Sequence, residues 1–190
     1  RHRKDGTLKP ITLSDEVLRR LLDEGRHQIL RYRLMLDAGL RKSEVGSLTW
    51  GDLDLEGETL TTRPWWTGNK NGKEESLPLS PTLLAKLRAY KLAHPSGPSE
   101  RVTPITSRFL WKFNEDLVAA GIARRVPVDK LGKPIEFGSD GHPVAKPWRW
   151  RVRKTDVSGR VVDLHALRHT FATRLGRTPG IDPKTVQTLL

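Results

Sequence analysis

This sequence predicts a mainly α-helical domain with a small antiparallel β-sheet, on three observations. Apolar residues recur at helical spacing through most of the chain. The period breaks between Thr59 and Leu79, where Asn71-Gly72 gives the strongest short hairpin signal. It breaks again at Trp148–Arg153, where tryptophan or valine alternates strictly with arginine. Helical segments outnumber extended ones, and the sheet is expected to take the Thr59–Leu79 hairpin plus at least one strand from residues 124–162. With 190 residues, the chain fits one domain, or one domain with an appendage, and is long enough to bury a real core.

Taken in order, Arg1–Lys9 is polar and basic, the composition of an arm or a linker stub. Thr12 opens Thr-x-x-Asp, a capping-box-like helix start, followed by Val17, Leu18, Leu21 and Leu22, with Gly25 as the stop. A second helix is predicted over Gln28–Ala38, where Ile29, Leu30, Leu34, Met35 and Leu36 cover much of the girth. A helix apolar on most sides belongs in the core. Gly39 ends it. Ser43 suits the cap of a short helix holding Glu44, Val45 and Leu48, which leaves Arg41 in the tight turn between two helices, on a rigid apolar scaffold.

In the hairpin, Thr59–Trp66 pairs with Lys73–Leu79 and Lys70 sits at the tip. Ser80-Pro81 reads as N-cap and first residue of a helix running to Leu92, with Leu83, Leu84, Leu87 and Tyr90 inward. His94–Pro104, with Pro95, Gly97 and Pro98, is a loop. Thr106–Ala120 reads as an amphipathic helix carrying Phe109, Leu110, Phe113, Leu117 and Val118, stopped by Gly121. In Asp163–Leu175, Leu164, Leu167, Phe171 and Leu175 form a buried stripe at helical spacing. There is no internal repeat, heptad pattern or low-complexity tract.

Charge narrows the function. Lys and Arg number 34 against 22 Asp and Glu, a net charge of +12 with a pI near 10.4. Such an excess suits a polyanion, above all nucleic acid. Residues 124–160 hold ten basic and four acidic side chains, half of that excess in about a fifth of the length. No run of eighteen apolar residues is present, no basic amphipathic helix has a broad apolar face, and no signal-peptide pattern opens the chain. A membrane partner is therefore not expected. The absence of cysteine excludes disulfides and thiolate metal sites and fits an intracellular protein. The expected location is the cytoplasm, at the nucleoid.

Three residue types carry possible chemistry. His165 and Arg168 lie one helical turn apart at a helix start, an arrangement suited to a phosphate, although an isolated H-x-x-R is more often a solvated pair. A turn arginine such as Arg41 is commonly a surface residue, and a lysine such as Lys70 at a hairpin tip is commonly solvated. Arg149, Arg151 and Arg153 would share one face of a strand, with Trp148, Trp150 and Val152 on the other. That strand reads equally well as the lining of a DNA groove or as an edge strand kept soluble by charge.

Order and spacing join these residues. Gly-Leu-Arg-Lys-Ser-Glu-Val-Gly-Ser-Leu-Thr-Trp-Gly-Asp-Leu-Asp, residues 39–54, resembles the first arginine motif of the tyrosine recombinases, the phage integrase and Xer-type family. Asn-Lys-Asn-Gly-Lys-Glu-Glu-Ser-Leu-Pro-Leu, residues 69–79, resembles that family's hairpin lysine motif. His-Ala-Leu-Arg-His-Thr-Phe-Ala-Thr-Arg-Leu, residues 165–175, resembles its H-x-x-R motif. Gly-Ile-Asp-Pro-Lys-Thr-Val-Gln-Thr-Leu-Leu, residues 180–190, resembles the helix that precedes a Gly-His pair in the family. The resemblance covers Leu8–Ile122 and Val161–Leu190, with residues 124–160 as a basic, β-rich elaboration.

What the resemblance implies is the catalytic-domain fold of the DNA breaking-rejoining enzymes and site-specific recombination by phosphotyrosyl strand cleavage and rejoining. In such enzymes a tyrosine attacks a DNA phosphodiester and a second strand's 5′-hydroxyl reverses the step, so bond energy is conserved and neither cofactor nor metal is required. Arg41 and Arg168 would grip the non-bridging oxygens, Lys70 would protonate the departing 5′-oxygen, and His165 would hydrogen-bond the phosphate. Glu44 would hold Arg41 from behind, and His169 is read as structural. Double-stranded DNA is the implied partner, with a synaptic tetramer on DNA for the full-length protein.

Residues 1–190 include no counterpart of the family's Gly-His pair or of its nucleophilic tyrosine. Tyr32 and Tyr90 both lie upstream of the H-x-x-R motif and are explicable as core. The family's separate N-terminal DNA-clamping domain is likewise not matched. The chain is therefore expected to be a catalytic-domain fragment that binds DNA without cleaving it. A binding-only relative, a type IB topoisomerase-like enzyme and a purely structural basic domain stay open as alternatives.

Overall fold

The computed structural model describes residues 12–25, 28–63, 74–154 and 161–179. They form two compact units, one of residues 12–13, 28–63, 74–107 and 164–179, the other of residues 14–25, 108–154 and 161–163.

The first unit is built around α2 (Ile29–Asp37), whose Leu30, Tyr32, Leu34, Met35 and Leu36 are all buried. Arg31, Arg33 and Asp37 are its half-buried charged positions, with Arg33 paired to Asp37 at 3.3 Å, and α3 (Lys42–Ser47), α4 (Pro81–Ala93) and α6 (Leu164–Gly176) all pack on the helix. A single 3₁₀ turn (Trp50–Asp52) leads into β1 (Leu53–Asp54), which pairs antiparallel with β2 (Thr59–Thr62), and β2 with β3 (Glu75–Pro78). Leu60 of β2 stands opposite both Leu53 and Leu77 and is fully buried. The turn of the predicted hairpin, with Lys70, lies outside the described residues.

Ser80 caps α4 by accepting from the Leu83 N–H at 3.3 Å, with Pro81 as first helical residue. The predicted loop before Pro104 is tied down by backbone bonds from Trp50 N to Glu100 O (3.0 Å) and from Gly51 N to Pro98 O (2.7 Å).

In the second unit α1 (Asp15–Glu24) packs Leu18, Leu21 and Leu22 toward α5 (Phe109–Ala119), whose Phe109, Phe113 and Leu117 are buried. Gly121 takes φ +67°, a left-handed helix stop. From there the chain enters β4 (Arg124–Val128), antiparallel to β5 (Arg149–Arg153) in a register that places Arg124 opposite Arg153 and Pro127 opposite Trp150.

Three sequence expectations need correction. The strands of residues 124–162 do not join the hairpin: β1-β2-β3 and β4-β5 are separate sheets, because β4 grows out of the end of α5 while the hairpin completes its sheet with the short β1. The first helix is capped by Ser14, whose hydroxyl accepts from Val17 N–H, while Thr12 bonds the hydroxyl of Thr173 on α6. The helix expected from Thr106 starts at Phe109; Ile105 lies against Gly46 of α3, so a residue just upstream is committed to packing and regular turns begin beyond it.

Candidate active site

The turn joining α2 to α3 is dictated by Gly39. Its φ of +67° favours a residue without Cβ, and a Cβ there would come within 2.5 Å of the Phe171 ring of α6. The tight contact lets α6 approach the turn at backbone distance. Arg41 follows in extended conformation as the N-cap of α3, so Ser43, expected as the cap, falls inside the first turn. The reason is Glu44, which stands at the third helical position and reaches back to accept from Arg41 N–H at 2.6 Å. A guanidinium has no acceptor to complete a reciprocal cap. It donates instead, from Arg41 Nη1 to Glu44 Oε1 at 2.8 Å.

Arg168 comes to the same carboxylate from α6. Its Nη1 lies 3.6 Å from Glu44 Oε2 and also donates to the carbonyl oxygen of Gly39. The Arg168 and Glu44 side chains are each only 7% exposed, whereas that of Arg41 is 32% exposed. Burial, and then the neighbouring positive charge of Arg41, pull the Arg168 pKa below the usual arginine value, with Glu44 partly opposing them. An arginine remains charged through such a shift because its ordinary value lies so far above neutrality. The two guanidiniums and one carboxylate thus sum to +1 in a partly dry setting, where electrostatic attraction is stronger than in water. That balance suits a monoanion such as a phosphodiester.

His165, in the first turn of α6, is exposed, and its ring meets that of His169 edge-on at 4.5 Å. Tyr32 is fully buried in α2, and Tyr90 is half-buried, stacked on His94 at 4.3 Å. Lys70 lies outside the described residues. Arg149, Arg151 and Arg153 are exposed on β5 in the other unit. Among the described residues no group of three or more His, Cys, Asp or Glu side chains could hold a metal ion. Nor is any helix there long and apolar enough to cross a membrane.

Sequence reading took Gly39 only as a helix stop; its carbonyl, as acceptor for Arg168, was missed. The one available signal was its place two residues before an arginine. Asp52 was missed too. It is buried, accepts from Thr49 N–H (2.9 Å) and Oγ1–H (2.7 Å), and pairs with Arg63 at the end of β2, which also reaches Glu74 just before β3 at 3.5 Å.

The architecture is that of a tyrosine recombinase catalytic domain. The crystal structure of XerA recombinase aligns with a TM-score of 0.59 at 19% identity, covering 100% of this chain and 59% of that one. A lambda integrase (75-356) dimer bound to a COC′ core site aligns with a TM-score of 0.59 at 18% identity, covering 100% of this chain and 60% of that one. The profile of the phage integrase family matches residues 12–122, more than half of the sequence, and the chain belongs to that family. Tyrosine recombinase XerA of Thermococcus kodakarensis is 30% identical over 185 residues, 95% of this chain and 54% of that protein. The chain therefore spans about half the length of the curated relatives it matches.

Proposed function

We propose that residues 1–190 are the phosphate-binding catalytic domain of a site-specific recombinase or integrase acting on double-stranded DNA, with residues 124–160 as a basic elaboration. One observation carries the reading: Glu44 gathers guanidiniums from positions 41 and 168 onto a single buried carboxylate. The relatives are named tyrosine recombinases, and the lambda integrase neighbour is bound to a core site, which supports DNA as the partner.

In this reading a tyrosine oxygen from outside residues 1–190 attacks the scissile phosphorus. The bond to the 5′-oxygen breaks, and Lys70 supplies the proton that makes it a hydroxyl. The 5′-hydroxyl of a second strand then attacks the phosphotyrosyl link, releases the tyrosine and restores a phosphodiester. Arg41 and Arg168 hold the two non-bridging oxygens as negative charge builds, each contributing about 10²–10³ in rate if it behaves like one oxyanion donor. His165 hydrogen-bonds the same phosphate. Glu44 and the Gly39 carbonyl fix the forks before DNA arrives, so little reorganisation is left for the reaction itself. A full-length protein would assemble as a synaptic tetramer on DNA, in the cytoplasm at the nucleoid.

The test uses a native chain long enough to carry the tyrosine, and a suicide substrate nicked beside the cleavage site so that strand loss traps the adduct. A denaturation-resistant protein–DNA band is expected, absent in the tyrosine-to-phenylalanine variant and reduced at least a hundredfold in rate by Arg168→Ala. A covalent band from residues 1–190 alone would assign the nucleophile to Tyr32 or Tyr90 and overturn the mechanism. An unreactive long chain on its cognate site would favour a binding-only relative.

A further inference from the structure

The β4–β5 ribbon lies outside the residues matched to the family profile, and the strand-exchange reading makes no use of its aromatic residues. Its two faces are unlike. One carries Arg149, Arg151 and Arg153 at two-residue spacing, with Arg124 directly opposite Arg153. Like charges directly opposite in a cross-strand pair are destabilising. All four arginines are exposed, and among the described residues none is paired with a carboxylate. Arg125, on the other face, does have one in Glu115. Edge protection would account for charge on this strand, and the Arg151 guanidinium also covers the Gly132 turn, but neither accounts for the aromatic rings beside the row.

The second face carries Trp150, 50% exposed, with the Phe137 ring, itself 50% exposed, 6.4 Å from it, and Trp148 just before the strand is 55% exposed. Between the faces runs the outer edge of β5, which among the described residues pairs only with β4. The Arg149 guanidinium lies over the Trp148 ring, 4.6 Å from its centroid. Cation and aromatic surface therefore meet at the start of β5.

Duplex DNA would use the arginines and leave the aromatic rings idle, because its bases are stacked on one another. A single strand uses both: phosphates track a positive row while unpaired bases stack on aromatic side chains. We infer that the outer edge of β5 is a binding site for single-stranded nucleic acid, with bases on Trp148 and Trp150 and phosphates at Arg149, Arg151 and Arg153. This goes beyond the strand-exchange reading and does not rest on it, since the ribbon and the Arg41–Glu44–Arg168 cluster belong to different units.

The experiment measures affinity of the 190-residue chain for a fluorescent oligo-dT and for a duplex of the same length, at fixed salt. Trp148→Leu/Trp150→Leu keeps apolar bulk but removes stacking, and should weaken oligo-dT binding roughly tenfold per ring while leaving duplex binding within about twofold. Trp148→Phe/Trp150→Phe should recover most of the loss, and all variants should melt like the parent because the rings are half exposed. Because the ribbon and the Arg41–Glu44–Arg168 cluster belong to different units, covalent-adduct formation by the long chain should be unchanged in the tryptophan variants, which separates failure of this site from failure of the catalytic reading. Equal losses on duplex and single strand would overturn the inference in favour of a backbone-only surface. An unchanged affinity for oligo-dT would remove the site altogether, and oligo-dT displacement by anionic phosphatidylserine vesicles with tighter vesicle binding would assign the face to a membrane instead.

Discussion

Arginine serves two physical ends in this protein, and the contrast between Arg168 and Arg151 shows both. Arg168 is buried, bonded to a carbonyl and set beside a carboxylate, so its position is fixed before any ligand arrives. Arg151 stands exposed in a row of like charges on a two-stranded ribbon. A preorganised charge stabilises one anion at one place and loses much if its partner is removed. A surface row attracts any polyanion, gains little from each contact and fades with salt. In the proposed reading the same side chain is a fixed clamp in one unit and a polyanion-attracting surface in the other.

The largest effect is expected where the clamp is broken. Glu44→Ala leaves two guanidiniums facing each other without their shared carboxylate and should destabilise the fold by about 3–5 kcal/mol, read by denaturant unfolding. Adding Arg168→Met should recover part of that loss, whereas a loss below about 1 kcal/mol would make the cluster a surface-type ion pair. Next comes Gly39→Ala, which forces a Cβ into positive φ and into the Phe171 ring; a loss of about 2–4 kcal/mol is expected. Phe171→Ala in the same chain should relieve the clash but not the backbone strain.

On the ribbon, Arg149→Ala/Arg151→Ala/Arg153→Ala should leave stability within about 0.5 kcal/mol. Its effect belongs to duplex binding. If the parent contacts about six phosphates, log K falls with log salt at a slope near −5, and the triple variant should flatten the slope by about 2.7. An unchanged slope would return β5 to simple edge protection.

The smallest effect concerns pH. Burial raises the Asp37 carboxyl pKa, with Arg33, Arg174 and Lys86 opposing. A raised folded-state pKa means the folded protein holds that proton more tightly than the unfolded chain does. The resulting stability is complete below the ordinary carboxylate value and is lost as pH rises through the raised one. Asp37→Asn should flatten the stability profile above the ordinary carboxylate pKa, and an unaltered profile would show that the ion pairs dominate.

The apolar pattern made the helices legible because each spends its period on a single core: α2 buries five of its nine residues and packs α3, α4 and α6. The turn motif made the Arg41 position legible for the same reason, since a glycine stop and a short following helix leave little freedom. What sequence could not reveal depends on contacts between distant segments. That Glu44, which caps α3 locally through Arg41 N–H, also receives a guanidinium from α6, a helix beginning 120 positions further on at Leu164, is not written in the local spacing. That the two sheets stay apart follows from which elements end beside which, a matter of packing that alternation along one strand does not encode.

The central claim is that Arg41 and Arg168 grip one phosphate together. It is tested most directly by following the arginine Nε–H resonances of the labelled 190-residue chain while titrating dimethyl phosphate and then a short duplex. Arg41→Lys and Arg168→Lys assign the two signals. The claim predicts that both shift on one saturable isotherm, and that Glu44→Ala uncouples them without abolishing the response of the β5 arginines. A titration in which the β5 arginines move while Arg41 and Arg168 stay still, at saturating duplex, would contradict it.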